Sequence, residues 1–558
     1  MRFLCVLICL GVVPSALAIS FNLGALEAQL DSRFSLDLRW AAEEADSAWI
    51  GASNGGQGQS PSSDDGRLNF RRGDSFSRRA EGQHDLELRL GDSGVFVQGR
   101  YWYDFALQNH SQSFRELDNG HRPRAAQSAG SQWLQAFVFH HYQLAGQPGT
   151  LRWGRQVVDW GEGQLLPSAL DVINPVDFNR FSGLERPDTE DRVPVNLLYL
   201  SQSLPQRWTL DAFYQWGDAM EVPANCGGFF AQRDVSTRGC SYYAVDRDVN
   251  PWAQAEALGL GYAWSSEGVL IPRAGDQKAQ HSGQFGLALF WQGDHVRLGF
   301  HWLRYHSRQG MLGVRTANAE VLAYLAQNTE TSAVNEAVRL GHGRYFFSYP
   351  EAIRLYGLSA TGTLASGGTL WGVLTYQPNT PLQRNQAQLI DWLGQTSEVA
   401  EQEGYQRKRV AQGQLGIHQP LNAEIAGAQQ LSVEAELGYV RVMGLGSERY
   451  GRDPVFGSAG REGFITSEAW GYRLRLSADY ATPIARLYAQ PQITFTQDVQ
   501  GYAPNEQFSQ GACSIAAKLG FSYMDTYAVE VSYSHFYGGQ YNSLKDRDFM
   551  RIKFSTQF

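Results

Sequence analysis

Between Gly154 and Arg180 the chain reads GRQVVDWGEGQLLPSALDVINPVDFNR, with the ionisable groups Arg155, Asp159, Glu162, Asp171, Asp177 and Arg180 set around Trp160, Asn174 and Phe178. Charges this dense need water or mutual partners, because a carboxylate or guanidinium taken into a dry core without a counter-charge is strongly disfavoured. Two arrangements fit. The groups can form a charged constriction, with Trp160 and Phe178 as contact surfaces, or pair with one another and pin the segment in place. Pairing is the favoured reading, and a pinned segment still narrows and shapes any opening it sits in.

Other constellations carry less chemistry. Asp64, Asp65 and Asn69 offer calcium-type oxygens, but the string lacks the spacing of a twelve-residue calcium loop, and a solvated acidic turn is the expectation. His140 and His141 are neighbours, so on a strand they face opposite sides and cannot share a metal, and His301 and His306 have opposite parity. No serine sits in a recognisable nucleophile motif. The residues therefore point to no enzyme, no metal and no cofactor, although a triad assembled across strands leaves no compact trace. The formal charge of -9 comes without a concentrated basic surface, which argues against a nucleic-acid partner.

The elements that must position the segment 154–180 are strands. Met550 to Phe558 (MRIKFSTQF) alternates Met550, Ile552, Phe554, Thr556 and Phe558 with Arg551, Lys553, Ser555 and Gln557. Such a two-residue period is one strand with an apolar and a wet side. A strand closing on a C-terminal Phe resembles the assembly signal of bacterial outer-membrane barrels, which implies recognition of Phe558 by the barrel assembly machinery. The alternation recurs from Leu26 to Trp40, longer than the roughly 9–11 residues a membrane-crossing strand needs, so the wall should extend beyond the bilayer. It recurs again over 431–439, 470–480 and 527–533. The polar faces carry Arg33, Arg39, Glu434, Glu436, Arg473, Arg475 and Asp479, too many charges for a packed core and suited to a wet lumen. Pairing across adjacent strands is their alternative role.

No stretch after Ala18 is long and apolar enough for a helical span, and the mean hydropathy is -0.35. Barrels escape that test, since lipid-facing and lumen-facing residues cancel in the average. The 26 Tyr, 29 Phe, 15 Trp and 59 Gly suit aromatic girdles and tight turns. Residues 1–18 combine Arg2, an apolar run from Phe3 to Val13 and Ala16-Leu17-Ala18, the pattern of a cleaved secretory signal. The expected organisation is thus a signal peptide over 1–18 and, over 19–558, one antiparallel transmembrane β-barrel of about 18 strands, with 16 to 20 tolerable. Its lipid-facing side would meet outer-membrane lipid in a Gram-negative bacterium.

Short turns are expected at 91–94, 145–149, 204–207, 292–294, 364–368, 481–483 and 524–526. Long connections are expected near 41–75, 106–130, 160–193, 217–282, 307–350, 378–407, 443–469 and 500–511. Ala319 to Leu340 and Gln386 to Glu403 have helical periodicity and could fold toward the lumen as plugs, or cap the surface. Of five cysteines, Cys5 and Cys9 fall in the signal segment. Export predicts a Cys226 to Cys240 disulfide and leaves Cys513 as a buried strand residue.

Several blocks spread along the chain resemble the DUF1302 family of large proteobacterial outer-membrane barrels: DDGRLNFRRGD at 64–74, GRQVVDWGE at 154–162, INPVDFNR at 173–180, CGGFFAQRDVSTRGC at 226–240, IPRAGDQKAQHSGQFGLAL at 271–289, YHSR at 305–308 and YPEAIRLYGLS at 349–359. The resemblance implies a barrel with a disulfide-closed outer loop. It also implies work beside a periplasmic lipid-carrier-like protein and an inner-membrane pump of the resistance-nodulation-division type, hence a channel for small hydrophobic or amphipathic, lipid-like molecules. A lipid-acting hydrolase and a non-conducting docking scaffold are the alternatives.

Overall fold

A computed structural model describes residues 19–558 except 110–111, 113, 115–121, 181–185, 187–188, 218, 247–251, 253–254, 257–258, 328–331, 423, 425–426 and 505–506. The expected signal segment 1–18 lies outside the described residues. The alternating segments form a closed antiparallel barrel of eighteen strands. Its first strand, Leu26–Ala41, pairs along one edge with Ser75–Leu90 and along the other with the last strand, Phe549–Gln557, in register from Arg33↔Gln557 to Ala41↔Phe549. No sheet edge is left open across the wall, the condition for a sheet in lipid. Phe558 extends the closure: its N–H donates to the Ser32 carbonyl at 2.9 Å, and the Ser32 N–H donates to its carbonyl at 2.6 Å. The short strand Ile19–Leu23 folds back onto Leu26 to Leu30, the stretch of the first strand that the last one does not reach.

Alternation decides the two faces. Leu474, Leu476, Ile493, Met550 and Phe554 are exposed on the outside. Glu434, Glu436, Asp498 and Ser514, one residue out of phase with the outward positions of their strands, are buried on the inside. The eight short turns lie at the end that also holds Leu26, where the first barrel strand starts, and Phe558, and the nine long connections lie at the other. The turn at 421–429 and the connection at 538–548 are additional to those read from sequence. The strand Thr369–Gln383 runs through Pro378 and Pro381, where sequence placed the start of a long connection. Its register slips between Gln377 and Thr380, a bulge that accommodates a residue without an N–H.

At the long-connection end a cap has its own apolar core. It contains two three-stranded sheets, Tyr242–Val245 with Trp264–Ser265 and Gly268–Pro272, and Met311–Arg315 with Arg344–Ser348 and Glu401–Gln402. The helices Ala319–Gln327, Ser332–His342 and Gln386–Gln395 pack against them through Leu325, Val338, Leu340 and Leu393, with Ile271 and Tyr345 from the sheets. The period read over 319–340 is thus two helices. The period read over 386–403 stops at Gln395, because Glu401 and Gln402 are drawn into pairing with Arg315 and Val314. Cys226 and Cys240 form the disulfide, with Cα atoms 6.6 Å apart. Cys513 is a free thiol, half-buried at the start of its strand rather than buried.

Candidate functional site: the lumen and its inward segment

The connection from 157 to 194 turns into the barrel. Its entry is set by Gly154, whose φ of +137° and whose missing Cβ, which would lie 2.4 Å from the Ala136 carbonyl oxygen, suit no other residue. Val158, Leu170 and Ile173 are buried against the inward face of the wall beside Leu197, Phe213, Leu303 and Leu355.

Polar anchors hold the rest. Glu436, on the strand Gln430–Met443, accepts the backbone N–H groups of Gln164, Leu165 and Leu166 at 2.6, 2.9 and 2.8 Å. Three successive N–H groups turned toward one carboxylate make a nest, and Gly163 at φ +88° allows the chain to approach it. From the opposite side the buried Arg308 guanidinium donates to the carbonyls of Val172 at 2.8 Å, Ile173 at 2.9 Å and Ala219 at 3.4 Å. It also donates to the side-chain oxygens of Gln284 at 2.7 Å and Gln215 at 3.0 Å. Asn174 accepts from Val158 N–H at 2.8 Å and donates to the carbonyls of Gln156 and Val193.

Among the described residues the charged groups of the segment are set against partners. Asp159 and Asp171 share Arg186 and Arg192. Burial alone would raise the Asp171 carboxyl, but Arg186 and Arg192 hold it below its ordinary value. Asp177 bonds Arg100 of the wall at 2.9 Å, with both side chains buried. Arg180 bonds Glu81 at 2.6 Å and reaches Glu190 at 3.4 Å. Glu162 lies 3.9 Å from Arg297, and burial raises its carboxyl above the usual range.

Trp160 is buried against Phe213 and His301, so it is a packing residue; Phe178 borders the open space. Arg155 pairs in register with Ala136 and Asn196, both exposed, and therefore lies on the outer face with Trp153 rather than at a constriction. Among the wall residues, Arg473 bonds Asp498 at 2.7 Å and Arg475 bonds Glu434 at 3.0 Å. Arg39 shares Asp37 with Arg551, and Arg33 pairs with Glu190. Asp479, near the short-turn end, accepts from Gln490 at 3.0 Å and stands apart from the cluster. Arg308, Glu436, Arg100 and Glu81 escape sequence reasoning as anchors, though YHSR at 305–308 marks the first of them.

Above the segment lies a cavity of about 420 Å³. Leu165, Leu166 and Phe178 of the segment line it, with Glu221 and Phe230 from the connection at 216–283, and Phe347 of the cap sheet with Tyr349 beside it. No residue of the three cap helices lines it, so the irregular segment, not the helices, enters the lumen.

The mouth around the cavity is tied by two of the sequence blocks. Asn69 donates to the Gly227 carbonyl at 2.9 Å, Asp65 N–H donates to Asp234 at 3.0 Å, and Arg67 forms a buried pair with Asp546 at 2.8 Å. Asp64 and Asp65 are buried, not a solvated turn. Their carboxylate oxygens and that of Glu267 lie within 4.8 Å of one another. Asp64 already accepts from Gly51 N–H and Asn54. Burial pushes it up to about 7.

Ser32, Ser93 and Ser359 each bond a histidine, His84, His140 and His301, at 2.9, 2.9 and 3.0 Å. Among the described residues no carboxylate bonds the second ring nitrogen of any of them, so none has the orienting acid of a triad.

Fold and site together define a closed β-barrel with an apolar belt and a lumen partly filled by one of its own connections. The whole chain, residues 1–558, matches the family described as "Protein of unknown function (DUF1302)", and the chain belongs to it. No curated protein matches it in sequence. Among solved structures it is similar to Acinetobacter baumannii OccAB1 at 10% identity, with 96% of each chain covered and a TM-score of 0.43. Two further similar structures are from Pseudomonas aeruginosa. OccK11 (OpdR) has 10% identity, 96% of each chain covered and a TM-score of 0.40. OccD3 (OpdP) has 8% identity, 95% of this chain and 91% of that one covered, and a TM-score of 0.43. At these levels of similarity nothing about substrate passes from those proteins to this chain.

Proposed function

We propose that this protein is a transport barrel of the Gram-negative outer membrane that passes small hydrophobic or amphipathic molecules. The observation that carries the reading is the cavity of about 420 Å³, walled by aromatic and aliphatic side chains with a few charged groups and standing over the inward segment. Ligand sites of this mixed character bind apolar bodies and orient them by a few polar contacts.

In the same proposal, residues 1–18 are removed on export and Phe558 is read by the barrel assembly machinery. A periplasmic carrier delivers to, or receives from, the short-turn end, coupled to an inner-membrane pump. The test is ionic conductance in planar bilayers with uptake of an amphipathic ligand into liposomes. Conductance or uptake by the refolded protein is the expected result, and absence of both, even with the segment 160–193 shortened, contradicts transport. Co-purification of a periplasmic protein without conductance would favour the scaffold instead.

A further inference from the structure

One sector of the outer face carries its cations at one end only. It comprises the adjoining strands Val296–Tyr305, Ile353–Thr363, Thr369–Gln383, Tyr405–Pro420 and Gln430–Met443. Toward the short turns their outward positions hold no Lys or Arg, and the row there is made of residues such as Leu298, Leu358, Leu370, Leu415 and Leu431. Toward the long connections the outward rows end in Arg304, Arg354, Arg407, Arg409 and Arg441. An exposed aromatic row comes just before them, Trp302, Tyr356, Tyr376 and Tyr439, with Trp302 opposite Tyr356 and Tyr356 opposite Tyr376. Aromatic girdles mark the boundary between hydrocarbon and head groups. Arg304, Arg354 and Arg441 each stand two residues beyond this row, roughly 6–7 Å along the strand, and so at head-group level.

These arginines are crowded. Arg304 is directly opposite Arg354 in register, and like charges so placed repel. Arg407 donates to the carbonyls of Glu351 at 2.7 Å and Asn379 at 3.3 Å, while the Asn379 side chain accepts from Arg354 N–H at 2.9 Å, so Arg354 and Arg407 meet around one residue. Three carboxylates stand nearby, each already engaged. Glu468 lies 3.4 Å from Arg441, Glu351 accepts from Gln280 N–H at 2.8 Å, and Glu403 is held beside the Tyr405 phenol. Arg304, Arg354, Arg407 and Arg409 form no ion pair among the described residues. Five guanidinium groups against three carboxylates leave a surplus of positive charge, exposed and facing lipid.

We infer that this patch binds a lipid of the outer leaflet whose head group carries more than one phosphate. A phosphate set between Arg304 and Arg354 turns their repulsion into charge-assisted bonds, which the planar guanidinium fork makes in pairs. The acyl chains then lie down the exposed apolar wall over Phe300, Leu358, Leu374 and Leu437. The inference rests on the outer-membrane placement in the transport reading, which turns the long-connection end outward, and it adds a lipid partner for that face.

The test uses the full-length refolded barrel in phosphatidylcholine nanodiscs doped with bisphosphorylated lipid A, its monophosphorylated form or its dephosphorylated form. Doped lipid retained after detergent extraction is counted by native mass spectrometry, and conductance is measured on the same preparation. Retention should rise with phosphate number, the bisphosphorylated lipid exceeding the dephosphorylated one at least about fivefold. Arg304→Gln with Arg354→Gln should lower retention of the bisphosphorylated lipid at least about fivefold. Arg207→Gln, at an exposed arginine of the short-turn end, should leave it within about twofold. Equal retention of the three lipids overturns the inference, as does unchanged retention in the double variant or an equal loss in Arg207→Gln. Displacement of the lipid by millimolar inorganic phosphate would mark a site for free phosphate and overturn it too. Conductance without phosphate-dependent retention removes the inference and leaves the transport reading standing, whereas retention without conductance does the reverse. The ranking of the three lipids needs no variant, so a misfolded double variant would not rescue the inference.

Discussion

The inward segment and the cap are both formed by long connections at the same end of the barrel, yet polar anchors carry far more of the holding in the first, beside its apolar contacts with the wall, than in the second. The cap has an apolar core, with Leu340 and Leu393 fully buried, and stands as a small domain. The segment 157–194 is fastened chiefly by side-chain bonds to its backbone, from Glu436, Arg308 and Asn174, and by the ion pairs of Asp171, Asp177 and Arg180. Losing a methyl from an apolar core costs in proportion to the cavity left, whereas losing a buried anchor leaves several polar groups unpaired at once. The segment should therefore let go abruptly, and the cap should soften by degrees.

The largest effect on the pore is expected from Arg308→Met, which strips five acceptors of their donor. Holding of the segment should weaken on the order of 3–5 kcal/mol, read as a several-fold rise in single-channel conductance. Next is Glu436→Ala, which removes the acceptor of three N–H groups and should cost about 1–3 kcal/mol, with a smaller rise and a noisier channel. Removing the disulfide with Cys226→Ser and Cys240→Ser together should lower thermal stability of the mouth by about 3 kcal/mol while leaving conductance close to that of the parent. Smallest on the pore is Leu393→Ala. It should cost the cap about 2–5 kcal/mol, seen by hydrogen exchange in its helices, and leave conductance unchanged. A large conductance change in Leu393→Ala would erase the contrast between the two regions.

The wall was legible because its signal is local. A two-residue period over Leu26 to Trp40 needs no knowledge of neighbours, and it locates both faces and, with the last strand, the closure. The anchors were not legible because each joins distant parts of the chain. Arg308 meets Val172 across 136 residues and Glu436 meets Leu166 across 270. A lone Glu on an alternating strand looks like any lumen charge until its partner loop is present. Arg155 was misplaced for a related reason: it stands in a charged run, but strand parity with Trp153 turns it outward. Asp64 and Asp65 look like a wet acidic turn, yet the disulfide-closed loop packs over them through Gly228, whose carbonyl oxygen leaves no room for a Cβ on Gly66.

The most direct test of the claim that the pinned segment shapes a transport pore compares planar-bilayer conductance of the intact protein with a variant in which residues 160–193 are replaced by a short Gly/Ser link. A small conductance in the intact barrel and a several-fold larger, less selective one in the variant is the predicted result. Equal conductance in the two, or none in either, would contradict it.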